Sequence, residues 1–141
     1  MAAVFVLCLR RASTGNEVLL GRKLDGASAN QGLTVPAGHY RKKKDKGDRK
    51  NAAARELREE TGISVSPERL RDFRTKGGHY WFLLTLDDEK PRTSPEFDKR
   101  GQAVWGPAGF YPIGCLANLE VARWHRKNLK TAIDTALALL S

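Results

Sequence analysis

One stretch constrains this chain more than any other: Arg55-Glu56-Leu57-Arg58-Glu59-Glu60-Thr61-Gly62-Ile63. Ala52, Ala53 and Ala54 precede it, and alanine is the strongest helix former. Gly62 follows Thr61, as glycine commonly follows a helix end. The pattern predicts a helix from about Lys50 to Thr61. On it Glu56, Glu59 and Glu60 stand at i, i+3 and i+4, which stacks their carboxylates on one face. Like charges so spaced repel, and the helix needs a compensating charge. Hard divalent cations take oxygen ligands, and magnesium commonly bridges a few carboxylates and substrate phosphates. The competing explanation is a solvated acidic face, which Arg55, Arg58 and Glu59 alone would fit.

Length and charge narrow the setting. A chain of 141 residues suffices for one domain, 1–141, with a sizeable core. Lys+Arg number 25 against 16 for Asp+Glu, a net charge of +9. Much of the excess is local: between Arg41 and Lys50, seven basic residues face only Asp45 and Asp48, so 7 − 2 = +5. Such a run favours phosphate chains, nucleic acid or an acidic membrane surface; plain solvation is the alternative. Only Tyr40 adjoins it as an aromatic, which gives little platform for stacking single strands. Cys8 and Cys115 are too few for a disulfide framework. The apolar start, Ala2 to Leu9, has no basic residues ahead of it and is too short to span a bilayer. The expectation is a soluble protein of the cytoplasm or another intracellular compartment, without membrane contact.

Ala3 to Leu9 reads as a strand buried on both faces. Ser13-Thr14-Gly15-Asn16 is a turn signal, and Glu17 to Arg22 completes a hairpin. Asp25 to Gly32 is a loop, and Leu33-Thr34-Val35 a short strand before Pro36-Ala37-Gly38-His39. Val65 and Leu70 predict the start of a further strand. His79 to Leu86 is the most β-prone run and is expected to be central. Its Tyr80 or Trp81 either stacks a base or braces the sheet. Gln102 to Trp105 is another strand, and Gly106 to Gly114 an irregular link. Asn118 is expected to cap a final helix reaching about Leu140. Val121, Trp124, Leu129, Ile133, Leu137 and Leu140 are its expected core stripe.

With Pro36-Ala37-Gly38 upstream, Leu57 on the opposite face and Gly62-Ile63 at the exit, the Arg55–Ile63 stretch resembles the second half of the Nudix box, G-x5-E-x7-R-E-U-x-E-E-x-G-U with U apolar. It matches there at every defined position. The first half departs: Gly38 and Arg55 stand further apart than the pattern allows, with no Glu between them. Asp45 and Asp48 are the only acids there. Asp48, one methylene shorter than Glu, lies just ahead of the helix, where it is expected to cap free N–H groups.

The resemblance implies an α/β fold, the Nudix α/β/α sandwich with a mixed β-sheet between helices. It implies a hydrolase acting on phosphoric anhydride bonds with Mg or Mn. Glu59 and Glu60 are then direct ligands, joined by the Ala37 carbonyl, and Glu56 is a ligand or the general base. Arg55 holds one of these carboxylates in place. Glu96 is the first choice, and Asp98 the second, for a further acid ahead of the Trp-bearing strand. Arg22, Lys23, Gly38, His39 and Tyr80 are substrate-side candidates. His39 is not expected to bind the metal, because magnesium prefers oxygen.

The favoured substrate is a nucleoside triphosphate, as in MutT-type enzymes. Dinucleoside polyphosphates or diphosphoinositol polyphosphates follow, supported by Pro36-Ala37-Gly38-His39 and the basic loop. An RNA-binding or RNA-processing protein on the same scaffold is the alternative from another class. A small-molecule nucleotide or polyphosphate is the expected partner, with nucleic acid as the other option and the oligomeric state open.

Overall fold

The computed structural model describes residues 2–26, 32–76 and 78–141; most of the predicted loop Asp25–Gly32 lies outside them. Alternation along the strands builds two cores on opposite faces of one sheet. In strand β1 (Ala3–Ala12), Val4, Val6 and Cys8 face one core while Leu7 and Leu9 face the other. Strand β2 (Gly15–Arg22) does the same with Leu19 against Val18 and Leu20. This is the two-fold periodicity of a strand covered on both sides.

β1 and β2 pair antiparallel as the predicted hairpin, with Ala12 opposite Gly15. β3 (Leu33–Thr34) extends the sheet beyond β2. β4 (Ala37–His39) pairs with the opening residues of β1, setting Gly38 opposite Val4. The second half contributes β5 (Arg71–Lys76) and β6 (His79–Leu86). β6 lies parallel to β1, with Leu7 opposite Leu83, so the sheet is mixed. Its path is β3-β2-β1-β6-β5, and β6 is an interior strand, as its composition predicts. Val65 begins no strand; a 3-10 turn, Pro67–Arg69, intervenes before β5.

Helix α1 (Arg49–Thr61) covers one face through Ala52, Ala53 and Leu57. Its ends follow local chemistry. The Asp48 carboxylate accepts from the Lys50 N–H at 2.9 Å, and Gly62 takes the left-handed conformation, φ 82°, donating its N–H to the Arg58 carbonyl. Asp48→Ala is therefore expected to lower stability by roughly 0.5–2 kcal/mol. Thermal unfolding measures the loss, and an unchanged melting point would remove Asp48 as the cap.

Helix α2 (Arg123–Leu140) covers the other face, and here two expectations are corrected. Asn118 caps nothing; it ends a 3-10 segment, Ile113–Asn118. The intervening backbone is committed elsewhere. Leu33 N–H donates to the Glu120 carbonyl and Ala122 N–H donates to that of Leu33, which holds this segment extended beside β3. The buried stripe is also rotated. His125, Leu129, Ala132, Ile133 and Ala136 are buried, while Trp124 and Leu140 are 45% and 47% exposed.

β7 (Glu96–Phe97) and β8 (Ala103–Trp105) form a separate pair. The predicted irregular link contains β9 (Gly109–Pro112), which pairs with β2. Gly21 of β2 is required by packing: a β-carbon there would lie 2.6 Å from the Trp105 indole. That indole donates to Thr34 Oγ1 at 2.9 Å. Among the described residues no helix is long and apolar enough to cross a membrane.

Candidate active site

The carboxylates of α1 meet β4 at the mouth of a cleft of about 530 Å³. Gly38 makes the approach feasible. A β-carbon at this position would fall 2.0 Å from the Glu56 carboxyl carbon, so any side chain would displace that group. Glu60 is buried, and its Oε1 accepts from the Ala37 N–H at 2.9 Å. Burial, reinforced by the Glu56 charge, pushes the Glu60 carboxyl well above its ordinary range. Burial also raises Glu56, against the pull of the Arg55 guanidinium. Glu96 is raised by burial and then by the charge of Glu59. Glu56, Glu60 and Glu96 all line the cleft.

Arg55 organises this side. Its Nη1 donates to Glu56 at 2.8 Å and to Glu59 at 3.4 Å. Its Nη2 donates to the His39 carbonyl at 3.0 Å. Both oxygens of Asp45 receive the remaining fork, from Nε at 2.8 Å and Nη2 at 3.1 Å. The expected positioning role of Arg55 thus includes a partner the sequence reading passed over. Asp45 is buried in the middle of the basic run, and its acidic type there was the available signal.

A second missed residue closes the other end of α1. The Arg92 guanidinium donates to the carbonyls of Glu59 at 2.6 Å and Glu60 at 3.1 Å, while the Arg92 N–H donates to that of Thr61. It complements the negative end of the helix dipole directly behind the carboxylates.

The opposite flank of the cleft is aromatic. Phe5 stacks on Trp81 at 4.7 Å, and Trp81 stacks on His125 at 5.6 Å. Trp124 leans on His125 and, with Phe5, lines the cleft. Burial lowers the His125 pKa to about 4, so the ring is neutral near pH 7, and its Nε2 accepts from the Val35 N–H. These residues carry no motif and are gathered by the sheet register.

The structure brings Lys23, Ala37, Gly38 and His39 to the same cleft. Lys23 pairs with Asp25 at 3.1 Å. Two substrate-side candidates are not among the lining residues. Arg22 reaches Glu120 at 3.2 Å. Tyr80 lies on the α1 face of the sheet, beneath the Arg49 guanidinium at 4.1 Å. Asp98 binds its own turn, accepting from the N–H groups of Arg100 and Gln102.

Among the described residues, no three His, Cys, Asp or Glu side chains enclose an ion by themselves. The donor chemistry nonetheless fits magnesium or manganese. A buried carboxylate, Glu60, beside the half-buried Glu56 suits a cation, and magnesium is usually held by one or two carboxylates, waters and substrate phosphates.

The chain matches the NUDIX domain model over residues 1–127 and belongs to that family. With Glu56, Glu59 and Glu60 of the box's second half in place, it is a hydrolase of phosphoric anhydride bonds. Its fold is similar to that of the NUDIX domain of Shewanella oneidensis NrtR, a structure complexed with ADP ribose. The TM-score is 0.71 at 14% identity, over 100% of this chain and 88% of that one. It is also similar to MutT from Aliivibrio salmonicida and Vibrio cholerae, with TM-score 0.61, 21% identity and coverage of 94% and 95%. A Caenorhabditis elegans Ap4A hydrolase gives 0.62 at 19% identity, covering 97% of each chain. No curated protein matches the chain in sequence.

Proposed function

We propose that the chain cleaves the pyrophosphate bond of a nucleoside diphosphate linked to another group, with nucleoside triphosphates as preferred substrates. The observation that carries this reading is the cleft itself. Its lining joins the buried Glu60 and the half-buried Glu56 and Glu96 with the Phe5 and Trp124 rings, a pairing suited to a phosphate chain joined to a flat base. Glu59 and Glu60, with the Ala37 carbonyl, would hold the divalent ion; Glu56 would be a further ligand or the general base. Glu96 is the additional acid on the facing strand. A magnesium or manganese ion bound there would polarise phosphate oxygens and lower the pKa of a bound water.

Arg55 orients Glu56 and Glu59 through charge-assisted bonds, which leaves its guanidinium no free edge for substrate. Lys23 meets a phosphate oxygen from across the cleft, and Gly38 and His39 form the floor beneath the chain. MutT and Ap4A hydrolase share the fold, which supports nucleotide polyphosphates as the class to test. A dinucleoside or diphosphoinositol polyphosphate is the second reading, favoured by the basic segment beside Glu59. A chromatographic screen for released products (nucleoside monophosphate, pyrophosphate or orthophosphate) over nucleoside triphosphates, dinucleoside polyphosphates, capped RNA and inositol pyrophosphates, with magnesium or manganese, tests it. Nucleoside triphosphates are expected to give the highest kcat/KM. Release from none of them would overturn the reading.

A further inference from the structure

We propose that Arg41 to Asp48 form a phosphate-reading arm, with Lys44 at its tip, that selects substrates whose phosphate chain runs on past the metal-binding carboxylates. The inference rests on the hydrolase reading and specifies its substrate class.

The arm is built around a buried group. Asp45 lies inside it, bound by both oxygens to Arg55 and through Oδ2 to the Arg41 N–H at 2.7 Å. Asn51 Nδ2 donates to the Asp45 carbonyl. The N–H groups of Asp45, Gly47 and Asp48 donate to the carbonyls of Arg41, Lys42 and Asp45, and Lys46 takes φ 53° to close the reversal. This framework ties the arm to the same guanidinium that holds Glu56 and Glu59. Lys44 therefore stands at a set place relative to Glu59.

That place is informative. Lys42, Lys43 and Lys44 are exposed, and Lys44 Nζ lies 3.7 Å from Glu59 Oε1. Glu56 and Glu60 line the cleft, whereas Glu59 is a third exposed and is not among the lining residues. Lys44 thus pairs with the one box carboxylate that is not among the cleft's lining residues. A base in the cleft directs the phosphate chain across the carboxylates, so phosphates beyond the metal meet ammonium groups instead of water. Arg49 stays out of this, since its guanidinium covers Tyr80. The Lys44–Glu59 contact by itself is an exposed ion pair of small worth. Its value lies in holding a mobile cation where an extra phosphate arrives.

Calorimetric titration of the full chain with inorganic pyrophosphate, tripolyphosphate and tetrapolyphosphate in magnesium tests the arm without requiring turnover. The wild type is expected to bind tetrapolyphosphate on the order of tenfold more tightly than pyrophosphate, from several weak ion pairs added together. Replacing Lys42, Lys43 and Lys44 by Gln should bring that ratio close to unity, and Lys44→Arg should retain it. An equal ratio in wild type and triple variant, or no length preference in the wild type, would overturn the arm. So would a single-stranded RNA oligonucleotide held by these lysines more tightly than tetrapolyphosphate, which would make the surface one for nucleic acid. A silent product-release screen beside an intact length preference would instead count against the hydrolase reading.

Discussion

Glu60→Gln is expected to lower kcat about a thousandfold, on the scale of losing a preorganised electrostatic group at a reacting centre, while making the metal-free protein more stable at pH 8. The two effects share one cause. Glu60 is buried, and its folded-state pKa is pushed well above the ordinary carboxylate range by burial and by Glu56. A group raised in this way contributes stability that is fully present below its unfolded value, about 4.3. That contribution is lost as pH rises through the folded value. At pH 8 the metal-free wild type therefore either buries a charge at Glu60 or takes up a proton to avoid it, and both cost stability. Gln keeps the size and the acceptor for the Ala37 N–H, but not the charge. Thermal unfolding in chelator should show the variant melting above the wild type at pH 8 and level with it near pH 4. Adding magnesium should raise the wild-type melting point and leave the variant's unchanged. Glu59→Gln should also lose activity but gain no stability, because its side chain is a third exposed. A Glu60→Gln enzyme that turns over normally and still responds to magnesium would remove Glu60 from the metal site.

These residues were legible because their relations are local. Carboxylates at i, i+3 and i+4 share a face wherever the helix forms, and Asp48 and Gly62 mark its ends by chemistry confined to one turn. The two faces of the sheet were readable in the alternation of β1. The limits lay where a residue's role depends on a distant part of the chain. Asn118 has cap chemistry, but the backbone that would continue into a helix is taken up by Leu33, far back in the sequence. His125 is polar and carries no apolar signal, yet it lies neutral against Trp81 and gives α2 a buried stripe without Trp124. Tyr80 and Trp81 are adjacent, and strand geometry puts them on opposite faces. Only the pairing of β6 with β1 decides which of them joins Phe5 on the cleft side. Arg92 has no motif at all, since its partners are carbonyl oxygens at the end of α1.

Asp45 is the sharpest case, and its removal is expected to be the costliest to stability. Asp45→Asn should destabilise the protein by about 3 kcal/mol, the lower end of the cost of breaking a buried ion pair. The lower end applies because Arg55 keeps Glu56, Glu59 and the His39 carbonyl as partners. Burial pushes the Asp45 carboxyl up, but the bonds from Arg55 and the Arg41 N–H outweigh it, so its pKa is lowered overall. A group lowered in this way contributes stability present above its unfolded value, about 3.9. That contribution is lost as pH falls through the still lower folded value. The gap between wild type and variant should therefore be full at pH 7 and shrink below about pH 4, which urea unfolding at several pH values would show. The arm should loosen at the same time, because Arg41 and Arg55 both reach it through this one carboxylate. Equal stability at pH 7, or a gap that does not change in acid, would mean that the Asp45–Arg55 pair does not hold this loop. An aspartate buried within a basic run would then need another explanation.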